Sequence, residues 1–272
     1  MTAGGAGKPA DYHRPIYFSG SSDPVFTLHC TEAWGVCPLE GLQVRVPDAA
    51  RPAGGTDAHL TVIDQVSGWE YDMWQVASKP VGGGTLNFSW GGKTRVDGDG
   101  LGSGATAAEY GTAAGNLRAE ELASGQINHA LMISVPCDSG SYVYPATKGG
   151  QSCASVGQSN TNAPPEGTRF QLTLSDTQIT ALNVPDWKKT LLRAMAHYGM
   201  IVGDTGSRMG IIHESSLVYT AFGQADRWVS LAKQAGAPFW APDDVYVFNI
   251  ADGVDWAHSL RVVAPCASQG RC

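Results

Sequence analysis

Residues 58–77 read AHLTVIDQVSGWEYDMWQVA. Apolar and polar residues alternate in AHLTVID and again in YDMWQVA, which is the period of a strand with one buried face. QVSGWE, between them, contains a Ser-Gly pair typical of a tight turn. The stretch therefore predicts a β-hairpin.

Further strands are predicted on both sides of this hairpin. The segments are PVFTLHC (24–30), GLQVRVP (41–47), TLNFSW (85–90), HALMISVP (129–136), TRFQLTLS (168–175), MIVGDTG (200–206), MGIIHESS (209–216), DDVYVFNI (243–250) and HSLRVVAP (258–265). Helical spacing of apolar residues is confined to 117–127, 186–199 and 225–236. Because strands and helices do not alternate regularly, we expect an antiparallel β-sandwich or jelly roll with two or three peripheral short helices.

Length and composition favour a single folded unit. The 272 residues include 34 glycines and 15 prolines, which indicates many turns, and the 43% hydrophobic content is enough for a sizeable core. We expect a flexible N-terminal segment at 1–15 and a single β-sandwich domain at 16–272.

The six cysteines fall into three local pairs, and local pairing is the simplest of the fifteen possible connectivities. CxxC spacing is absent, so zinc and redox-dithiol sites are disfavoured. Disulfides indicate an oxidising compartment. The predicted bridges are Cys30/Cys37, Cys137/Cys153 and Cys266/Cys272.

The start of the chain and its net charge refine this expectation. MTAGGAGKPADYHRP lacks the apolar segment of a signal peptide, so we expect a mature secreted chain whose signal has been removed. The sequence has no apolar run long enough to span a membrane. A net charge of −7 with scattered Lys and Arg makes nucleic acid an unlikely partner.

Carboxyl groups and tryptophans crowd the predicted hairpin. If Asp64 pairs with Glu70, then Asp64, Glu70 and Asp72 share one face. If the pairing shifts by one residue, His59, Asp72 and Trp74 share a face instead. Trp69 lies at the turn in both registers, and the sequence does not choose between them.

An acid beside a large ring on a sheet is typical of carbohydrate sites, because the ring stacks on the sugar while carboxylates bind hydroxyls or move protons. The alternative is structural: Trp74 belongs to the core, Asp64 ends a strand and Asp72 is paired internally.

A second group of candidates lies in RAEELASGQINHAL. Glu121 on a short helix and His129 at the start of a strand can approach each other, and such pairing shifts both pKa values. Arg118 is three residues before Glu121, so the two can equally form an ordinary helix pair. His129 can equally be a satisfied core histidine.

Weaker candidates occur in glycine-rich segments. Asp204 lies in GDTG, which favours a turn, yet it can also contact a substrate. Asp97 and Asp99 in VDGDGLG resemble part of a calcium loop, but the closing Glu of an EF-hand is missing. We therefore expect no cofactor and no catalytic metal, with structural calcium as the alternative.

Two resemblances follow from these residues. YDMW resembles the strand that carries a catalytic acid in concanavalin-like and jelly-roll glycoside hydrolases. PDAARPAGGTDAHLTVID, RAEELASGQINHAL and RAMAHYGMIVGDTG are similar to a family of secreted soil-bacterial proteins whose activity is uncharacterised. The second resemblance implies export and no particular reaction.

Together these observations predict an extracellular carbohydrate-active enzyme that acts on a polysaccharide or oligosaccharide. The leading hypothesis is a glycoside hydrolase with Asp72 and Glu121 as the catalytic carboxyl groups, assisted by Asp64 and His129. The predicted substrate-binding residues are Trp74, Trp69, His59, Arg118 and Asp204. One alternative is a polysaccharide lyase that uses His59, His129, Arg118 and Tyr144. The other is a non-catalytic glycan-binding or cell-surface module.

Overall fold

The computed structural model describes residues 1–9, 11–103, 106–206 and 208–270. Strand residues outnumber helical ones, 30% against 19%, so the prediction of a mainly β, sandwich-like protein is confirmed. The strands are β1 Thr2–Gly4, β2 Ile16–Ser19, β3 Val25–Cys30, β4 Gln43–Arg45, β5 Leu60–Asp64, β6 Trp69–Ser78, β7 Gly84–Arg95, β8 Gly102–Ser103, β9 Leu131–Val135, β10 Arg169–Leu172, β11 Met200–Thr205, β12 Gly210–Ile211, β13 Phe239–Trp240, β14 Val245–Val247 and β15 Leu260–Val263.

The helices in the described residues are short. They are α1 Thr112–Gly115, α2 Ala119–Ser124, α3 Asp176–Ala181, α4 Asp186–His197, α5 Leu217–Thr220, α6 Arg227–Gln234, α7 Trp256–Ser259 and α8 Pro265–Ser268, with a 3₁₀ turn at Cys153–Val156. The three predicted helices correspond to α2, α4 and α6. The others are single turns except α3. Ser175 is the N-cap of α3 and forms a capping box with Gln178, a signal that the sequence interpretation did not use.

The predicted hairpin forms the middle of a seven-stranded sheet, here called the large sheet. Its order is β2-β5-β6-β7-β3-β4, with β8 paired to β7. Strands β5 and β6 are antiparallel, while β2 pairs with β5 and β3 with β7 in parallel. One face of this sheet carries the apolar residues of the hairpin, including Leu60, Val62, Tyr71 and Met73, into a buried core.

A second sheet, here called the central sheet, has five strands in the order β12-β9-β11-β10-β15. Its β9 and β11 are parallel, so both sheets are mixed rather than purely antiparallel. Helices α2, α4 and α6 contribute buried residues to the same core as this sheet, among them Leu122, Leu191 and Trp228. The apolar residues whose spacing predicted these helices form the face that each helix buries.

The N-terminal residues belong to the folded structure. Strand β1 pairs with β14, and β14 pairs with β13, which makes a third, three-stranded sheet. Asp11 and Arg14 are each only 2% exposed. The segment expected to be flexible, 1–15, therefore contributes a strand and buried charged side chains.

Two of the three predicted disulfides lie within the described residues. Cys30 bonds Cys37, and Cys137 bonds Cys153. Cys266 is also disulfide-bonded, but its predicted partner, Cys272, lies outside the described residues. None of the helices in the described part of the chain is long and apolar enough to cross a membrane.

Candidate functional site

The hairpin adopts the second of the two predicted registers. Asp64 lies opposite Trp69, and Thr61 lies opposite Asp72. His59, Asp72 and Trp74 therefore point to one side of the sheet. Glu70 joins Asp72 on that side, because residues two apart on a strand share a face.

Glu70 and Asp72 are buried beneath α1. Asp72 is 1% exposed, accepts a hydrogen bond from Thr61 Oγ1 at 2.6 Å and accepts another from the Thr112 amide at 3.2 Å. Glu70 is 4% exposed and accepts a hydrogen bond from the Ala113 amide at 2.8 Å. The two carboxyl groups thus bind the first amides of α1, which otherwise have no partner within the helix.

Burial, together with the adjacent Asp72, raises the pKa of Glu70 far above its usual range. Two carboxyl groups this close do not both ionise readily, so Glu70 keeps its proton at neutral pH. The pair combines one neutral acid with a neighbouring carboxyl group. Helix α1 covers this pair of carboxyl groups, and Asp72 is not open to solvent.

Asp64 organises the hairpin turn. Its Oδ1 accepts hydrogen bonds from the Val66 and Ser67 amides at 2.9 and 3.4 Å. Its Oδ2 lies 3.6 Å from Arg45 Nη1 on β4. Asp64 is 1% exposed, so its contacts are those of a turn residue that also ties two strands together.

Arg118, Glu121 and His129 come together as the spacing predicts. Glu121 Oε1 lies 3.0 Å from His129 Nε2, and Glu121 Oε2 accepts a hydrogen bond from the Arg118 amide at 2.9 Å. Burial alone raises the pKa of Glu121, but the contacts with His129 and Arg118 outweigh it and hold that pKa below its usual range. Burial lowers the pKa of His129 and Glu121 raises it, with a net increase. The two side chains, each about one-fifth exposed, form an ion pair.

The Arg118 side chain connects this pair to α1. Arg118 Nη2 donates to the Ala113 carbonyl at 3.2 Å, and Ala113 is the residue whose amide binds Glu70. Its positive charge acts on both Glu70 and Glu121. Arg118 therefore links α1, whose first amides bind the hairpin acids, to Glu121 in the first turn of α2.

The remaining predicted binding residues are dispersed. Trp69 is flanked by cations, with Lys93 Nζ 4.8 Å and Arg95 5.3 Å from its ring centroid. Trp74 donates to Asp57 at 3.2 Å and packs near Trp34.

Two more predicted residues lie close to one arginine. Asp204, on β11, pairs with Arg14 at 2.7 Å. His59 is buried, and burial followed by the charge of Arg14 lowers its pKa well below the usual range. His59 is therefore neutral, and neither residue faces the cleft described next.

A cleft of about 240 Å³ lies where α1 meets the central sheet. Four polar side chains line it, together with an apolar floor; its residues are Asp99, Leu101, Tyr110, Ala114, Gly115, Ala130, Met132, Tyr144, Arg169 and Ile201. They come from the segment before α1, from α1 itself, from β9, β10 and β11, and from the loop after β9. A concave site with an apolar floor and a few polar groups is the usual form of a ligand-binding pocket.

Close packing of α1 against β9 shapes this cleft. A Cβ on Gly115 would lie 3.0 Å from Met132 Cβ, so glycine permits the approach. Ala130, which lines the cleft, directly follows His129 of the Glu121–His129 pair.

The Arg169 side chain is fixed at the cleft. Its Nε donates to the Tyr198 carbonyl at 2.9 Å, and its Nη2 donates to the same oxygen. Burial raises the pKa of Tyr110, while the charge of Arg169 lowers it. All four polar side chains line the same cleft, and Tyr110 is protonated at neutral pH.

Tyr110 and Arg169 were absent from the sequence-based candidates. Arg169 begins the alternating segment TRFQLTLS, where an arginine at a strand end was a usable signal, whereas Tyr110 lies in a glycine-rich loop without periodicity. Tyr144 appeared only in the lyase alternative and Asp99 only as a possible calcium ligand.

The described acids do not gather into a metal site. Within the described ranges, groups of three or more His, Cys, Asp or Glu suited to a metal ion are absent. Asp97 instead pairs with Arg95 at 2.6 Å, and Asp99 accepts the Leu101 amide at 3.0 Å. These contacts are those of an ordinary loop.

Comparison with known proteins adds no relative: no protein family, curated protein or solved structure matches the chain.

Proposed function

We propose that the protein acts outside the cytoplasm on an acidic carbohydrate, which it binds in the Tyr110–Tyr144–Arg169 cleft and cleaves by β-elimination. The observation that carries this proposal is the convergence of a fixed arginine and two tyrosines on one cleft. The two described disulfides support the extracellular location.

The arginine suits a substrate carboxylate. A guanidinium binds carboxylates through a planar set of donors, and Arg169 is already oriented by the Tyr198 carbonyl. Neutralising a uronate carboxylate makes the proton on the adjacent carbon, C5, easier to remove. Arg169 therefore supplies binding and activation together.

The two tyrosines suit the proton transfers. In the proposed step, the Tyr144 hydroxyl first releases its proton to solvent and its oxygen then removes the C5 proton, while the C4=C5 double bond forms and the C4–O bond breaks. Tyr110, protonated because burial raises its pKa, donates its proton to the departing oxygen. Tyr144 is 42% exposed and can reach solvent to release the proton it has taken.

The size of the cleft limits what it holds. Pockets for drug-sized ligands are about 300–1,000 Å³, and this cleft is about 240 Å³. It therefore suits one sugar unit, with the rest of the chain extending outside. The apolar floor formed by Met132 and Ile201 fits the less polar face of a sugar ring.

Glycoside hydrolysis is the second candidate, and its support is the carboxyl pair of Glu70 and Asp72, in which Glu70 holds a proton at neutral pH. Hydrolysis requires substrate to reach such a pair. Since Asp72 is 1% exposed, α1 would have to move away from the hairpin first. Elimination in the open cleft requires no such movement.

A panel of uronate-containing and neutral polysaccharides tests these assignments. Products that absorb ultraviolet light through a new C=C bond would support elimination. New reducing ends without this absorbance would favour hydrolysis and overturn the elimination proposal. Binding without turnover of any polymer would favour a glycan-binding module.

A further inference from the structure

Three side chains near the start of the chain are hydrogen-bonded in series. Thr2 Oγ1 lies 3.0 Å from His13 Nε2, and His13 Nδ1 lies 3.0 Å from Asp11 Oδ1. A hydroxyl, an imidazole and a carboxylate in this order are the geometric signature of an activated nucleophile with its base and orienting acid. None of the three residues is among those that line the Tyr110–Tyr144–Arg169 cleft.

The carboxylate at the end of the series is rigidly held. Asp11 is 2% exposed and accepts hydrogen bonds from the Gly7 amide at 2.8 Å and from Ser215 Oγ at 2.9 Å. Burial alone raises the pKa of Asp11, but His13 and these donors outweigh it and lower that pKa. Asp11 is therefore ionised at neutral pH and favours the His13 tautomer with its proton on Nδ1.

The imidazole is positioned by a neighbouring ring. His13 lies 4.0 Å from His213, and His213 lies 4.5 Å from Trp228, measured between ring centroids. Burial lowers the pKa of His213 well below its usual range, so His213 packs as a neutral ring. The side chain of His13 is 18% exposed, while that of Asp11 is fully buried.

The hydroxyl lies on a paired strand. Thr2 is opposite Val247 in the antiparallel β1–β14 pair, and its side chain is part-buried. In the tautomer that carries its proton on Nδ1, His13 accepts the Thr2 hydroxyl hydrogen at Nε2. The series thus runs from a fully buried carboxylate to a part-buried hydroxyl.

We propose that Thr2, His13 and Asp11 form a second catalytic site, one that hydrolyses small carboxylic esters. Thr2 Oγ1 attacks the ester carbonyl carbon while its proton passes to His13 Nε2. The carbon–oxygen bond to the alcohol breaks, and the alcohol leaves with that proton. Water then attacks the acyl-threonine, His13 takes a proton from the water and returns it to Thr2, and the carboxylic acid departs.

The same contacts also anchor β1, so the experiment must separate chemistry from packing. The intact protein is treated with a biotinylated fluorophosphonate, and peptides are mapped by mass spectrometry. Hydrolysis of p-nitrophenyl acetate is measured in parallel for Thr2→Val, Thr2→Ser and His13→Gln. His197→Gln is the matched control, because His197 pairs with Asp176 at 3.0 Å on the surface of α4.

We expect the phosphonate on Thr2, and hydrolysis reduced about 100-fold or more in Thr2→Val and His13→Gln, since general-base catalysis contributes about 10²–10⁴-fold. Thr2→Ser should retain hydrolysis, and His197→Gln should match the unmodified protein. Absence of an adduct at Thr2, or hydrolysis by Thr2→Val equal to that of the unmodified protein, would overturn the proposal.

Discussion

Replacing Glu70 with glutamine is expected to stabilise the protein at neutral pH, for a reason that lies in the hairpin. Glu70 is 4% exposed, and burial together with the adjacent Asp72 raises its pKa far above the usual range. The folded state therefore keeps the proton at pH 7, while the unfolded chain releases it above pH 4.5, the ordinary value. Because the folded state binds more protons, the free energy of unfolding falls as pH rises.

The size of this loss follows from the proton linkage. Each pH unit between the two pKa values lowers the free energy of unfolding by about 1.4 kcal/mol. Because the unfolded chain is already partly ionised at pH 5, the decrease between pH 5 and pH 7 is about 2.5 kcal/mol. A glutamine carries no titrating proton. Its carbonyl can accept from the Ala113 amide and its amide group can donate to Asp72, so the cap on α1 is preserved.

Urea unfolding of both proteins at pH 5, 6, 7 and 8, followed by tryptophan fluorescence, measures the difference. The difference in free energy of unfolding between Glu70→Gln and the unmodified protein should grow by about 2.5 kcal/mol from pH 5 to pH 7. Glu32→Gln, at an exposed glutamate, is the control and should leave the pH dependence unchanged. If Glu70→Gln showed the same pH dependence as the unmodified protein, the buried protonated carboxyl would be refuted.

Three further predictions concern the turn, a disulfide and the ion pair. Asp64→Ala should reduce the free energy of unfolding by about 1–3 kcal/mol in urea titrations, because it removes the buried carboxyl group that accepts from two turn amides; Asp97→Ala, at an exposed pair, should change it little, and equal effects would contradict the turn assignment. Replacing both Cys137 and Cys153 with serine should reduce the free energy of unfolding by about 3 kcal/mol, the value for a closed loop of this length. An unchanged thermal midpoint would argue against a stabilising bridge. His129→Gln should destabilise the protein more at pH 5.5 than at pH 8.5, because a raised histidine pKa gives stability that is lost as pH rises through that pKa. Thermal melting measures this, and an equal decrease in the thermal midpoint at both pH values would exclude a charged pair.

The sequence predicts individual strands and helices better than it predicts what packs against them. Alternation in residues 58–77 is sufficient to predict the hairpin, because one face of each strand enters the core. It does not predict that Glu70 and Asp72 would be covered by α1, because α1 is a single turn in a glycine-rich segment with no apolar period. A buried face with two carboxyl groups looks like an exposed face when only the alternation is considered.

The candidate sites show the same limit. Glu121 and His129 are eight residues apart, and the local helix-to-strand connection brings them into contact as predicted. Tyr110, Tyr144 and Arg169 come from three distant segments, and only the packing of α1 against the central sheet places them together. Thr2 and His13 lie in the segment expected to be flexible, because the pairing of β1 with β14 is a contact across almost the whole chain that no local pattern indicates.

The proposed reaction is tested most directly by one comparison of tyrosines. Tyr144 lines the cleft, while Tyr142 is in the same loop, is 55% exposed and does not line it. On a uronate-containing polysaccharide that the unmodified protein cleaves, Tyr144→Phe should form ultraviolet-absorbing product at least about 100-fold more slowly, and Tyr142→Phe at the unmodified rate. Equal rates in the two variants, or no such product from the unmodified protein on any uronate polymer, would contradict the assignment of elimination to this cleft.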